Sequence, residues 1–291
     1  MTIATVTAAL DDGSVHELRV GYEIVGDGPT NWVITPGGRF SRDYPGVREM
    51  ATALAGLGHR VLIWDRPNTG ESDICFAGSS ESEMQATVLE ALLCHLDMAP
   101  AIVIGGSGGA RVSLLAAAHH REVVAAVAVW WISGGVYGLM NIAMTYGKPS
   151  IPTAWNGGMA AVADLDEWKE VQEKNPANRD RFLALDPREF IAVVERWMEA
   201  HCTCDGAVVP GVTDDELSAL DLPSVVFRSG AADPIHTRLT SERIAALLPH
   251  AQLLEPPWPD TVWIDSELGR RFVRWPELAP ILHDWAGTLS K

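Results

Sequence analysis

The chain predicts an α/β fold: a mostly parallel eight-stranded sheet with helices on both faces, interrupted once by an inserted helical segment. Three observations carry this. Short apolar runs of strand type alternate with helical patterns over residues 1–132. From 133 to 213 the alternation stops, and helical pieces, Pro breaks and several tryptophans replace it. It resumes over 214–291. One core built from 1–132 and 214–291, with an insertion at 133–213, follows.

Two alternating runs, ATVTAAL and VHELRVGYEIV, flank Asp11, Asp12, Gly13 and Ser14, a hairpin signal. NWVITPGG is a short buried strand stopped by Pro36, Gly37 and Gly38. The next segment has helical spacing at Val47, Met50, Leu54 and Leu57, with Gly58 as its stop. HRVLIWD is the fourth strand, followed by the polar turn RPNTGESD. A helix over SESEMQATVLEALLCHL opens with Ser80 and Glu83 spaced as a capping box. AIVIGG is the fifth strand and leads into a helix from Gly109 to His120. VVAAVAVWWI is the sixth. After the insertion, LPSVVFRSG, the helix RLTSERIAALL, the strand AQLLE and a helix from Pro276 to Leu289 complete the pattern. Strands joined by helices of this length pair in parallel.

Composition narrows the function classes. Apolar residues are 47% of 291, enough for a sizeable core. The longest unbroken apolar run, Val123 to Ile132, is too short to span a bilayer. The N-terminus lacks the basic start and cleavage pattern of a signal peptide, so a cytoplasmic location is expected. A net charge of −16 repels phosphate backbones and anionic lipid, so neither nucleic acid nor membrane is expected as a partner. Oligomeric state is not readable; a homodimer stays open. Cysteines at 75, 94, 202 and 204 are too few for a disulfide framework. His201, Cys202, Cys204 and Asp205 are metal-capable, but no second cluster completes a tetrahedral set, and no metal is expected.

The chemistry centres on Gly105, Gly106, Ser107, Gly108 and Gly109, between the fifth strand and its helix. A Gly-x-Ser-x-Gly turn places a serine at a helix N-terminus, where unpaired N–H groups and the dipole favour a developing negative charge. The glycines let strand and helix approach closely. A P-loop would need Gly-Lys-Ser/Thr next, which is absent, and the dinucleotide fingerprint would need glycine where Arg111 stands. Arg111 is expected to brace the scaffold.

In this order, TPGGRF, DRPNTGESD and GGSGG resemble the α/β-hydrolase superfamily over nearly the whole chain. The resemblance implies the α/β-hydrolase fold, with the insertion as a cap after the sixth strand, and cofactor-free catalysis on a small-molecule substrate. It implies Ser107 as nucleophile, with Gly38 and Gly108 as oxyanion donors. In SVVFRSGAADPIHT, Gly230, two residues and Asp233 match the position of the triad carboxylate.

The family's histidine sits in a Gly-His turn after the eighth strand. Residues 251–268 contain no histidine; the matching positions fall among Trp258, Asp260 and Thr261. Of the nine histidines, His236 lies on the loop at the carboxyl end of the seventh strand, where α/β sites form. It is the expected base, oriented by Asp233; Asp260 is a second candidate, as orienter or direct base. His201 reaches the site only if the insertion folds it inward. Arg39 follows the oxyanion loop and reads as a clamp for a substrate carboxylate or as an ion pair. Trp131, ending the sixth strand with Trp130, and Trp258 are expected to line an apolar pocket. Three readings result: a serine hydrolase of an ester, thioester, lactone or C–C bond next to a carbonyl, with an apolar or aromatic substrate; a lyase, decarboxylase or cyclase using the same oxyanion site; and a binding protein with a dead site.

Overall fold

The computed structural model describes residues 2–202, 206–267 and 269–289. In chain order the elements are β1 (Thr2–Ala9), β2 (Val15–Val25), β3 (Asn31–Thr35), α1 (Val47–Gly56), β4 (Arg60–Trp64), α2 (Glu81–His95), β5 (Ala101–Gly106), α3 (Gly108–His119) and β6 (Val124–Trp130). Then come α4 (Gly135–Gly147), α5 (Ser150–Ala163), α6 (Lys169–Lys174), α7 (Ala177–Ala184), α8 (Pro187–Glu199) and α9 (Asp214–Ser218). The chain closes with β7 (Ser224–Phe227), α10 (Arg238–Leu247), β8 (Ala251–Leu254), α11 (Val262–Asp265) and α12 (Ala279–Leu289).

All eight strands form one sheet in the order β1-β2-β4-β3-β5-β6-β7-β8. β2 runs against both neighbours, and every pairing from β4 to β8 is parallel. Burial follows from what covers each strand. β1 lies at an edge and alternates, with Ala4, Val6 and Ala8 inward. β5 is central and buried throughout, as a strand covered on both faces must be. β3, β5 and β6 feed two cores. Val33, Val103 and Val127 pack with α2 and α3, while Ile34, Ile104 and Ala128 pack on the opposite face with α1 and α12.

Between β6 and β7 the described residues contain helices and no strand, with only an isolated bridge between Val209 and Val212. Met159, Val162, Trp168, Phe182 and Phe190 form a third apolar cluster there. Asn178 ties the helices to the polar turn before α2: its amide donates to Ser72 O at 2.9 Å and its oxygen accepts from Ile74 N at 3.1 Å. Among the described residues, no helix is long and apolar enough to cross a membrane.

One local expectation changes. Ser80 caps α2 by accepting from Glu83 N at 3.0 Å, but the Glu83 carboxylate turns away to His119 Nδ1 at 2.9 Å. The cap is single, because an imidazole on α3 competes for that carboxylate.

Candidate active site

The turn at Ser107 is shaped by sterics. Ser107 has φ 57° and ψ −123°, a sparsely populated conformation for a residue with a side chain. Its N–H is held by the carbonyls of Trp130 at 3.2 Å and Trp131 at 3.1 Å. A Cβ on Gly109 would sit 2.0 Å from Thr35 O, and one on Gly105 would sit 2.6 Å from the Gly109 carbonyl carbon. Only glycine at both positions lets β5 turn this tightly into α3.

Ser107 Oγ lies 3.0 Å from His236 Nε2, and His236 Nδ1 lies 2.9 Å from Asp233 Oδ2. The carboxylate is acceptor-only, so Nδ1 carries the proton and Nε2 is left to accept from the Ser107 hydroxyl. Three residues is a short span for such a pair. It closes because the two carboxylate oxygens divide the work: Oδ1 accepts from Ile235 N and His236 N, both at 2.9 Å, folding the loop so that Oδ2 meets the ring. Both side chains are buried. Behind the imidazole stand Trp131, stacked at 6.4 Å between centroids, and Trp263, edge-on at 4.3 Å.

Gly38 adjoins Gly108: a Cβ on Gly108 would lie 3.2 Å from Gly38 N. Gly108 is the first residue of α3, so its N–H has no intrahelical carbonyl to meet. The loop carrying Gly38 is braced from below, because Arg66 Nη2 donates to the carbonyls of Gly37 and Gly38. Gly38, Ser107 and Gly108 all line one cavity.

That cavity measures about 270 Å³. Phe40, Ile142, Ile235, Trp263 and Phe272 give it an apolar wall, and α4 closes one side through Thr145 and Tyr146. His201, from the end of the helical region, also lines it.

Three sequence expectations are corrected here, and of the two readings of Arg39 the ion pair is the one seen. Arg39 reaches the cavity but is no free clamp: its Nε is 3.2 Å from Glu81 Oε1, and its guanidinium is sandwiched between Tyr146 (4.7 Å) and Trp168 (4.5 Å). Burial lowers the Arg39 pKa, but Glu81 and Glu167 outweigh it and the net shift is upward. The side chain pins α4 to the core. Trp131 and Trp258 do not line the cavity; they pack on each other at 5.3 Å in the core behind His236. Asp260 is neither base nor orienter, since its carboxylate points outward to Arg238 at 2.8 Å. A tryptophan's direction depends on neighbours far along the chain, which no local motif reports.

Sequence reasoning missed Trp263 and Phe272 as cavity walls and Arg66 as the oxyanion-loop brace. Trp263 lies five residues past Trp258 in the stretch where a histidine was sought, and nothing local distinguishes the two. Among the described residues, no group of His, Cys, Asp and Glu could hold a metal; Thr203, Cys204 and Asp205 lie outside them.

Comparisons with known proteins agree with this architecture. A family model described as alpha/beta hydrolase fold matches residues 33–130. A 2-hydroxy-6-oxononadienedioate/2-hydroxy-6-oxononatrienedioate hydrolase of Burkholderia vietnamiensis is 32% identical over 103 residues, covering 35% of this chain and 35% of the relative. The same-named hydrolase of Escherichia coli is 30% identical over 104 residues, covering 36% and 32%. The chain thus matches about a third of the length of these curated relatives. Among solved structures, a thermophilic esterase from Thermogutta terrifontis superposes with a TM-score of 0.67 at 17% identity, covering 100% of both chains. The enol-lactonase from Burkholderia xenovorans gives 0.58 at 20% identity, covering 97% of this chain and 99% of that one. Sheet order, the strained serine turn and these similarities agree: the chain has the α/β-hydrolase fold, and its residues 33–130 match the model of that family.

Proposed function

We propose that the protein is a serine hydrolase that works without a cofactor on a small substrate with an ester, thioester, lactone or ketone carbonyl. The observation that carries this is the unbroken hydrogen-bonded line from Ser107 Oγ through His236 to Asp233. A serine hydroxyl is a weak nucleophile until a base takes its proton, and His236 Nε2 is placed to do so. Ser107 Oγ attacks the carbonyl carbon as its proton passes to His236. The oxyanion that forms lies against the N–H groups of Gly38 and Gly108, and Asp233 stabilises the imidazolium. His236 then protonates the leaving group. Water, deprotonated by the same ring, releases the acyl group. Similar proteins named as hydrolases and an enol-lactonase support this reading. The lyase reading drew on the missing histidine after β8; the 3.0 Å contact between His236 Nε2 and Ser107 Oγ supports the hydrolase reading instead.

The test is labelling with a fluorophosphonate, followed by mass spectrometry. One equivalent is expected on Ser107, none on Ser107→Ala, and labelling slowed about 10³-fold or more in His236→Ala. A folded wild-type protein that takes no label, or turnover of a carbonyl substrate that survives Ser107→Ala, overturns the reading.

A further inference from the structure

The cavity beside Ser107 opposes the charge of the chain around it. The protein carries −16, yet the residues lining the cavity include Arg39, Arg66, Arg111 and Arg271 against one carboxylate, Glu81. Three of these arginines have compensation. Arg39 pairs with Glu81. Arg66 donates to Gln85 Oε1 at 3.2 Å and to the oxyanion-loop carbonyls. Arg271 lies 4.3 Å over the Trp263 ring and is partly exposed.

Arg111 has none of this. It is 5% exposed and stands on α3 one turn beyond Ser107. Among the described residues its hydrogen bond is to His201 Nε2, at 2.8 Å, and no carboxylate is within ion-pairing distance. Its Nε is buried without a partner. His201 supplies no compensating charge. It donates Nδ1–H to Trp197 O at 2.8 Å, leaving Nε2 to accept from Arg111. Burial, and then the neighbouring Arg111, push its pKa down to about 3, so it is neutral at ordinary pH. A buried guanidinium held by one neutral acceptor carries a large desolvation cost that the described residues leave unmet. An anion in the cavity would meet it.

We infer that Arg111, held in place by His201, is the seat for a carboxylate on the substrate, so that the protein acts on the anions of short acids rather than on uncharged acyl compounds. The inference rests on the hydrolase reading for the position of the scissile carbonyl at Ser107. Four residues along a helix are a rise of about 6 Å. A carboxylate on Arg111 and a carbonyl at Ser107 then belong to one molecule with a short carbon spacer between them, as in a glutarate half-ester. The apolar wall opposite takes the rest of the substrate.

The test compares 4-nitrophenyl hydrogen glutarate with its neutral isostere, the 4-nitrophenyl ester of glutaramic acid. In wild type, kcat/KM is expected to favour the anion by about 10–100-fold, the worth of a charge-assisted contact. Arg111→Gln should bring the ratio to within about threefold of one, and Arg111→Lys should retain part of it. The ratio is internal to each variant, so partial misfolding cancels. In parallel, calorimetry on Ser107→Ala should show glutarate binding, with no binding of glutaramide. A wild-type ratio near one with no glutarate binding overturns the inference, while fluorophosphonate labelling of Ser107 leaves the hydrolase reading standing. Arg111-dependent glutarate binding without labelling keeps the carboxylate seat and removes the hydrolase reading.

Discussion

The loops after β7 and β8 leave the same edge of the sheet, and the histidine that the family resemblance implies after β8 stands after β7, beside the carboxylate implied there. The loop after β7 carries Asp233 and His236, both buried and hydrogen-bonded to each other. The loop after β8, where the family's histidine normally sits, carries Trp258, packed on Trp131, and Asp260, paired outward with Arg238. α11 follows and sets the Trp263 edge against the His236 ring. One loop holds the polar chemistry and the other supplies the wall behind it. Parallel strands deliver both loops to one mouth, so an imidazole from either can face Ser107. What the arrangement must preserve is the position of the ring, not the element that bears it.

The largest expected effect comes from disturbing the first loop at Asp233. Asp233→Asn presents an amide where Nδ1–H now finds an acceptor, favouring the tautomer whose Nε2 is protonated and cannot take the Ser107 proton. The expected loss in kcat is about 10³–10⁴-fold, read with a chromogenic ester. A loss under tenfold would mean that Asp233 holds only the loop backbone, through Ile235 N and His236 N, and that something else orients the ring.

The comparison also separates what could be read from the chain and what could not. The turn at Ser107 and Gly108 was legible because steric rules confine a strained serine and its neighbouring glycines to one kind of turn, whereas Gly38 came from the family resemblance. His236 was legible by elimination and by its place at the end of a strand. The helical character of 133–213 was legible too, from its Pro breaks and missing alternation. Trp131, Trp258 and Asp260 were misjudged for a shared reason: each side chain's direction is set by partners distant in sequence. Arg111 meets His201 from 90 positions away, and Trp131 meets Trp258 across the whole insertion. Helical spacing put Arg111 on the turn after Ser107, but only the tertiary structure shows that its charge faces the cavity uncompensated.

The second loop is expected to matter through packing. Trp258 is 6% exposed and its ring supports Trp131, which in turn backs His236. Trp258→Ala removes a large buried ring, and such truncations cost about 3–5 kcal/mol. Urea unfolding should show that loss. If stability falls by less than about 1 kcal/mol, Trp258 is not the wall described here.

The smallest effect should come from Asp260, although it occupies the stretch where the family's base is sought. Its carboxylate is 53% exposed, pairs with Arg238, itself 35% exposed, and accepts a long contact from Ala231 N at 3.5 Å. Exposed ion pairs of this kind contribute about 0–1 kcal/mol. Its backbone is a different matter. A Cβ on Gly230 would lie 1.8 Å from Asp260 O, so the main chain at 260 presses directly on the loop that carries Asp233. Position 260 therefore contributes its carbonyl's location rather than its acid. Asp260→Asn keeps that backbone and removes the charge; kcat/KM should change less than about twofold, and unfolding free energy by no more than about 0.5 kcal/mol. A tenfold fall in kcat/KM at unchanged stability would return Asp260 to the chemistry and make the β8 loop a second source of proton transfer.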